Sequence, residues 1–171
     1  MLSQENLSRI NGFHCNVEAM DNYLKSYAIT DAETGNGVTY LVIDKDLNEL
    51  VAYYTLCSSA VFVNGEMSSA VYINMFAVRG DYQDIVYYTE NKHQEICVSA
   101  SILYELIGNV YNMSKNILGV KYISLYSLPE ACEFYKRNFF IELTDEIMMP
   151  DSTDKSISIE ECIPMVMPLF S

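Results

Sequence analysis

Basic residues are scarce in this chain. Lysine and arginine number 10 against 23 aspartates and glutamates in 171 residues, a formal charge of −13. Binding to a phosphate backbone draws on lysine and arginine, so nucleic acid is an unlikely partner on charge alone. Histidine is scarcer still. His14 and His93 are the two present, too few for a histidine-rich metal site, and they argue against a serine-histidine triad. The five cysteines, Cys15, Cys57, Cys97, Cys132 and Cys162, are odd in number and widely spaced. They form no C-x-x-C pair and no zinc spacing, so no metal site is expected, and reduced, mostly buried thiols are the simple reading. No apolar run approaches the ~20 residues that span a bilayer. Met1-Leu2-Ser3-Gln4-Glu5-Asn6 lacks the basic start and apolar core of a signal peptide. A cytoplasmic protein with no membrane segment is the expectation.

What is present reads as globular. Half of the residues are hydrophobic and 19% are charged, which suits a packed core in one domain over residues 1–171. Much of the negative excess falls late, at Glu142, Asp145, Glu146, Asp151, Asp154, Glu160 and Glu161, against Lys155. A solvated acidic loop that aids solubility accounts for it. An attraction for a cationic substrate, such as a polyamine or a basic peptide, is the functional alternative.

Hydrophobic periodicity orders the elements. Val17, Met20, Leu24 and Tyr27/Ala28 recur at helical spacing, with Asn16 placed to cap the helix. Gly35-Asn36-Gly37 breaks the chain. Val38–Ile43 reads as a strand, Asp44–Asn48 as a turn, and Leu50–Val63 as a long strand. Asn64-Gly65 signals a hairpin, and Val71–Val78 is apolar enough for a central strand. Gly80–Gln94 is polar, tyrosine-rich and loop-like. From Glu95 to about Asn116 the helical period returns through Ile96, Ala100, Leu103, Ile107, Val110 and Tyr111. Val120–Ser127 reads as a strand, Glu130–Arg137 as a short helix, and Phe139–Leu143 and Cys162–Leu169 as closing strands. Pro164 and Pro168 suit an edge or a strand end. The sum is a mixed α+β domain with a mostly antiparallel sheet flanked by helices.

Ala131-Cys132-Glu133-Phe134-Tyr135 directly follows a strand, and in that setting its Ala-x-x-Phe-Tyr pattern resembles the late motif of the GCN5-related N-acetyltransferases (GNAT superfamily). Phe13-His14-Cys15 through Tyr23-Leu24 is similar to the opening of the branch that includes bacterial toxin-type acetyltransferases. Val51-Ala52-Tyr53-Tyr54-Thr55-Leu56 resembles the family's V-x-G-Y-Y-x-L strand, and Ile163–Leu169 its last strand. The resemblance covers most of the chain and implies an acyl-CoA N-acyltransferase fold that uses acetyl-CoA as co-substrate. Asn74-Met75-Phe76-Ala77-Val78 takes the place of the strand that pairs with the pantetheine arm, so Phe76, Ala77 and Val78 are the implied backbone contacts.

The family's pyrophosphate loop, Gln/Arg-x-x-Gly-x-Gly/Ala, has lost its glycines here. Direct continuation from the strand gives Gln83-x-x-Val86-x-Tyr88, with bulky side chains at both glycine positions. A later register gives Gln94-x-x-Cys97-x-Ser99 followed by Ala100. Its small side chains and the onset of the helical period there favour Gln94, Cys97, Val98, Ser99 and Ala100 as the pyrophosphate-facing set. The matched tyrosine, Tyr135, is the implied general acid for the departing CoA thiolate. In the segment that follows, Phe139 stands where the family has glycine, and three residues before Ala131, Leu128 stands where it often has asparagine. Glu66, Asp81 and Asp84 flank the cofactor strand as turn carboxylates, and a water chain serves equally well as proton acceptor.

The leading expectation is an N-acetyltransferase that moves acetyl from acetyl-CoA to a primary amine, cationic in its unreacted form, by direct transfer. The alternative is a catalytically silent module of the same fold, in which Tyr82, Ile85, Val86, Tyr87 and Tyr88 form a contact patch; a homodimer is left open. A tRNA-acetylating activity follows from the N-terminal likeness, and the net charge argues against it.

Overall fold

A computed structural model describes residues 6–88, 95–144, 147–148 and 162–170. The chain forms two compact units, Met1–Thr55 with Met75–Gly108, and Leu56–Asn74 with Asn109–Ser171.

The first unit starts with three short helices, α1 (Leu7–Asn11), α2 (Glu18–Ser26) and α3 (Ala28–Thr34). Sequence periodicity anticipated one helix over 17–30 capped by Asn16. Instead Asn16 takes a left-handed φ of 68°, and Val17 occupies the cap position without a side-chain bond. Asp21 ties down the approach to the helix, its carboxylate reaching back to accept the Cys15 N–H at 2.9 Å. Tyr27, 59% exposed, marks the break between α2 and α3. Gly35 ends α3 at φ 78°, where a side chain would be strained.

The strands of this unit are β1 (Val38–Asp44), the start of β2 (Glu49–Val63) and the end of β3 (Glu66–Val78). Phe13 and Tyr53 are fully buried. Their rings meet edge to face at 5.4 Å, and Tyr23 stacks on Tyr53 at 6.4 Å. Each such ring contributes about 1.5–3 kcal/mol by burial. Polar groups inside this core are paired: Thr39 with Thr55 at 2.7 Å, the Tyr53 hydroxyl to the Met20 carbonyl at 2.7 Å, and the Tyr23 hydroxyl to Asp31 at 2.8 Å.

After β3 the expected loop is in part regular. A 3₁₀ turn (Gly80–Tyr82) leads to β4 (Val86–Tyr88), which pairs antiparallel with β5 (Glu95–Cys97). The long helix α4 then runs Val98–Asn116. Glu95, Ile96 and Cys97, expected in the helix, are therefore strand. The alternating partners in β4 capture them before the helical period takes over.

In the second unit, β2 turns into β3 through Asn64-Gly65, both left-handed at φ 53° and 80°, the geometry this dipeptide favours in two-residue hairpins. β6 (Tyr122–Ser127) lies parallel to β3 and antiparallel to β9 (Ile163–Pro168). Between them in sequence come a 3₁₀ turn (Pro129–Ala131), α5 (Cys132–Arg137), β7 (Ile141–Glu142) and β8 (Ile147–Met148). The strand order is β1-β2-β3-β6-β9-β7, with β8 on β2. Ile123, Leu125, Met165 and Val166 fill the core of this unit.

β9 is thus flanked on both sides, and its prolines fall at the strand's ends, Pro164 second and Pro168 last, the other of the two positions they suit. Pro164 fits because its carbonyl accepts the Leu143 N–H at 3.1 Å. Its ring nitrogen faces that same side, where the two-residue β7 has ended, so no ladder bond is lost. No described helix is long and apolar enough to cross a membrane.

Candidate active site

The end of β3 is the first candidate element. Its parallel ladder with β6 runs from Ala70↔Tyr122 to Ile73↔Leu125, and β3 continues five residues further, Asn74–Val78. The Arg79 N–H donates to Val51 of β2 at 2.8 Å. In a trans peptide N–H and C=O point oppositely, so the Val78 carbonyl turns away from β2. Ile73 faces β6 in the ladder while Arg79 faces β2, so the alternation is broken between them. Of the three residues read as pantetheine contacts, Val78 therefore presents its carbonyl to the edge beyond the ladder.

The side chains of Phe76 and Val78 join those of Val51, Ala52, Val98 and Ile102 in one apolar cluster. This brings the start of α4 against the end of β3, as the later register requires. Cys97 closes β5, and Val98, Ser99 and Ala100 form the first turn of α4, all half-buried. The Val98 N–H is already taken by the Ile85 carbonyl at 3.0 Å, which leaves Ser99 and Ala100 to offer first-turn N–H groups to an anion. Gln94 lies outside the described residues.

Gln83, set aside in favour of Gln94, hydrogen-bonds to the end of β3. Its side-chain nitrogen donates to the carbonyls of Val78 at 2.8 Å and Cys15 at 3.0 Å. The signal was its spacing, five residues after Val78, where direct continuation puts the first residue of the motif. Bulky Val86 and Tyr88 obscured it, because the reading assumed that a helix must follow at once. Ile85 and Val86 are exposed and Tyr82 is half-buried beneath the Arg79 guanidinium at 4.8 Å. The side chains of Tyr87 and Tyr88 lie outside the described set.

Three segments meet beside the end of β3. A shallow, open depression of about 450 Å³ is lined by Gly12, His14, Asn16, Glu49, Arg79, Gly80 and Asp81. The Gly80 N–H donates to the His14 carbonyl at 2.9 Å. Arg79 holds Asp81 at 2.6 Å and Glu49 at 2.7 Å. Hydrogen bonding to Asp81, then to Glu49, raises the guanidinium further above its usual value. Arg79 in turn holds Asp81 well below the carboxylate range, so this carboxylate is a poor proton acceptor. Asp84 is an exposed turn residue, as read, whereas Glu66 is the exposed first residue of β3.

His14 contacts Asp21 at 3.0 Å. Burial alone would raise the Asp21 carboxyl, 8% exposed, yet hydrogen bonds from Cys15 and His14 bring it below 3.8. Sequence reading missed Asp21. The signal was a carboxylate on the inward side of an amphipathic helix.

In the second unit Tyr135 sits on α5, 8% exposed, between Phe134 and Phe140 in edge-to-face contacts at 5.2 and 5.5 Å. Burial raises its phenol well above the ordinary value, so it keeps its proton at neutral pH. The helix ends where Asn138 and Phe140 N–H groups bond the Tyr135 carbonyl at 2.9 and 3.1 Å. Phe139 between them adopts φ 71°, the conformation glycine would supply, with its ring 71% exposed. This replacement changed the residue and kept the backbone. Among the described residues no group of His, Cys, Asp or Glu could hold a metal ion.

No family model matches the chain. Solved structures share its fold. A KacT structure with one tyrosine changed to phenylalanine has a TM-score of 0.71 at 18% identity, covering 99% of this chain and 92% of its own. AtaTR bound with AcCoA gives 0.67 at 19% identity, covering 94% and 85%. AtaT complexed with acetyl-methionyl-tRNAfMet gives 0.65 at 18% identity, covering 82% and 86%. The chain has the mixed α+β fold of these GNAT-type toxins, in agreement with the toxin-type resemblance in its sequence.

Proposed function

We propose that the chain is an acetyl-CoA-dependent N-acyltransferase acting on a primary amine by direct transfer. The observation that carries this reading is the course of β3, whose ladder with β6 stops at Ile73 while the strand continues to Val78. Backbone groups on such an edge pair with an extended polyamide as they would with another strand. The donor set fits a pantetheine arm: the end of β3 supplies N–H and C=O groups, and the first turn of α4 offers N–H groups to phosphate. Structures with this fold include one bound with AcCoA.

Bound there, acetyl-CoA would supply an activated acyl carbon, whose C–S bond breaks as the neutral amine's nitrogen bonds to it. The proton that the nitrogen sheds passes to water, and water returns one to Tyr135 after it has protonated the sulfur. Tyr135 is the hydrogen-bond donor for the departing sulfur. Its burial raises the phenol, and the same desolvation raises the basicity of a thiolate beside it, so proton transfer to sulfur stays feasible. The KacT structure and some AtaT structures likewise carry a tyrosine-to-phenylalanine change. The acceptor is a primary amine that meets a chain of formal charge −13, which favours a cationic small molecule or peptide. AtaT with the same fold holds acetyl-methionyl-tRNAfMet, so the charge argument against nucleic acid loses force, and an amine carried on RNA belongs in the acceptor screen.

Calorimetry with acetyl-CoA tests the reading. Saturable binding with a Kd of about 1 µM to 1 mM, in the usual enzyme range, is expected. No heat at millimolar acetyl-CoA overturns it and leaves the silent binding module. Exposed Ile85 and Val86 are then the starting point for that second reading. If Tyr87→Ser with Tyr88→Ser leaves oligomeric state and partner capture unchanged, the contact patch fails too.

A further inference from the structure

The Val78 carbonyl offered to the cofactor already has a donor. The Gln83 Nε2 gives one hydrogen to Val78 at 2.8 Å and the other to Cys15 at 3.0 Å. Both amide hydrogens are thereby spent on carbonyls from two different elements. A glutamine side chain ends in a carboxamide, the group that recurs along a pantetheine arm. Gln83 follows a single 3₁₀ turn, and its backbone N–H makes a long 3.4 Å bond to the Gly80 carbonyl. The residue is exposed, so its amide can swing into water, where its hydrogen bonds are replaced.

We propose that Gln83 is a built-in substitute for a cofactor amide, filling the donor position at Val78 while the edge is empty and displaced when a polyamide arm pairs there. The proposal rests on the acetyl-CoA reading. It makes Gln83 a determinant of cofactor affinity, because part of the binding energy is spent on removing it. A neutral hydrogen bond in such an exchange corresponds to roughly a three- to tenfold change in affinity.

Gln83→Met keeps the chain length and removes both donors. Isothermal titration compares it with the wild type, using acetyl-CoA and, as a probe without the arm, adenosine 3′,5′-bisphosphate. The variant should bind acetyl-CoA about three- to tenfold tighter and the bisphosphate equally. Equal or weaker acetyl-CoA binding by the variant overturns the proposal, since Gln83 would then be neutral or a supporting contact. If neither protein binds acetyl-CoA, the cofactor reading itself has failed and the proposal falls with it. Should the variant misfold, the wild type still decides. Its Gln83 side-chain NH₂ resonances should move to solvent-exposed positions on adding acetyl-CoA, and unmoved resonances at saturation refute displacement.

Discussion

Replacing Gly80 with alanine puts a methyl group where the structure has no space. A Cβ at Gly80 would lie 2.6 Å from the Asn16 Nδ2 and 3.1 Å from its Cγ and Oδ1. The Asn16 backbone holds φ 68° and His14, two residues earlier, is tied to Gly80 by a 2.9 Å backbone bond, so relief has to come from turning the Asn16 amide out of its place. Overpacking of this kind costs about 1–3 kcal/mol. With a urea m-value of about 1–3 kcal/mol/M, the unfolding midpoint should fall by roughly 1 M. Asn16→Gly removes the obstructing amide and suits the left-handed backbone, so alone it should change stability by no more than about 0.5 kcal/mol. Combined with Gly80→Ala it should recover most of the loss, a coupling of about 1 kcal/mol or more in a double-mutant cycle. Urea titrations of the four proteins measure this. A Gly80→Ala midpoint equal to the wild type, or an undiminished loss in the double variant, refutes the packing of residues 14–16 against the end of β3.

Tyr135→Phe keeps both ring contacts and removes one oxygen. The melting temperature should stay close to wild type, while kcat falls about 10²-fold or more with little change in KM for acetyl-CoA. Thiol release with an amine found by screening reads both, and an unchanged kcat removes Tyr135 from the chemistry. The Ser124 hydroxyl is fully buried and has no hydrogen-bond partner among the described residues; Ser124→Ala should therefore stabilise by about 1 kcal/mol, and a loss in thermal denaturation would show an unseen partner. The Asp21 carboxyl sits below 3.8 in the fold. Its contribution is present above that value and lost as pH falls through the folded value. Asp21→Asn should cost about 1 kcal/mol at pH 7 and progressively less below pH ~4; a constant difference across that range contradicts it.

The sequence made the sheet legible because its signals were local. Asn64-Gly65 specified the hairpin, and the apolar runs of β2, β3, β6 and β9 had no competing pattern. Tyr135 was found through its neighbours on one short helix. Phe139 shows why residue matching understates likeness: the family's glycine is gone, yet φ 71° remains, at a strain of about 1–2 kcal/mol. What escaped were contacts between distant segments. Asp21 bonding Cys15, Gln83 bridging Cys15 and Val78, and the pairing of β4 with β5 depend on chain reversals that periodicity does not encode. The prolines of β9 left edge and strand end open, and the structure decides for strand ends, because edge status depends on how far the neighbouring strand runs.

Backbone amide hydrogen exchange with and without acetyl-CoA tests the central claim most directly. The end of β3 is the edge that the cofactor arm would use. The account predicts that acetyl-CoA slows exchange among the N–H groups of Phe76, Ala77 and Val78. Unaltered exchange at all three in millimolar acetyl-CoA would contradict it.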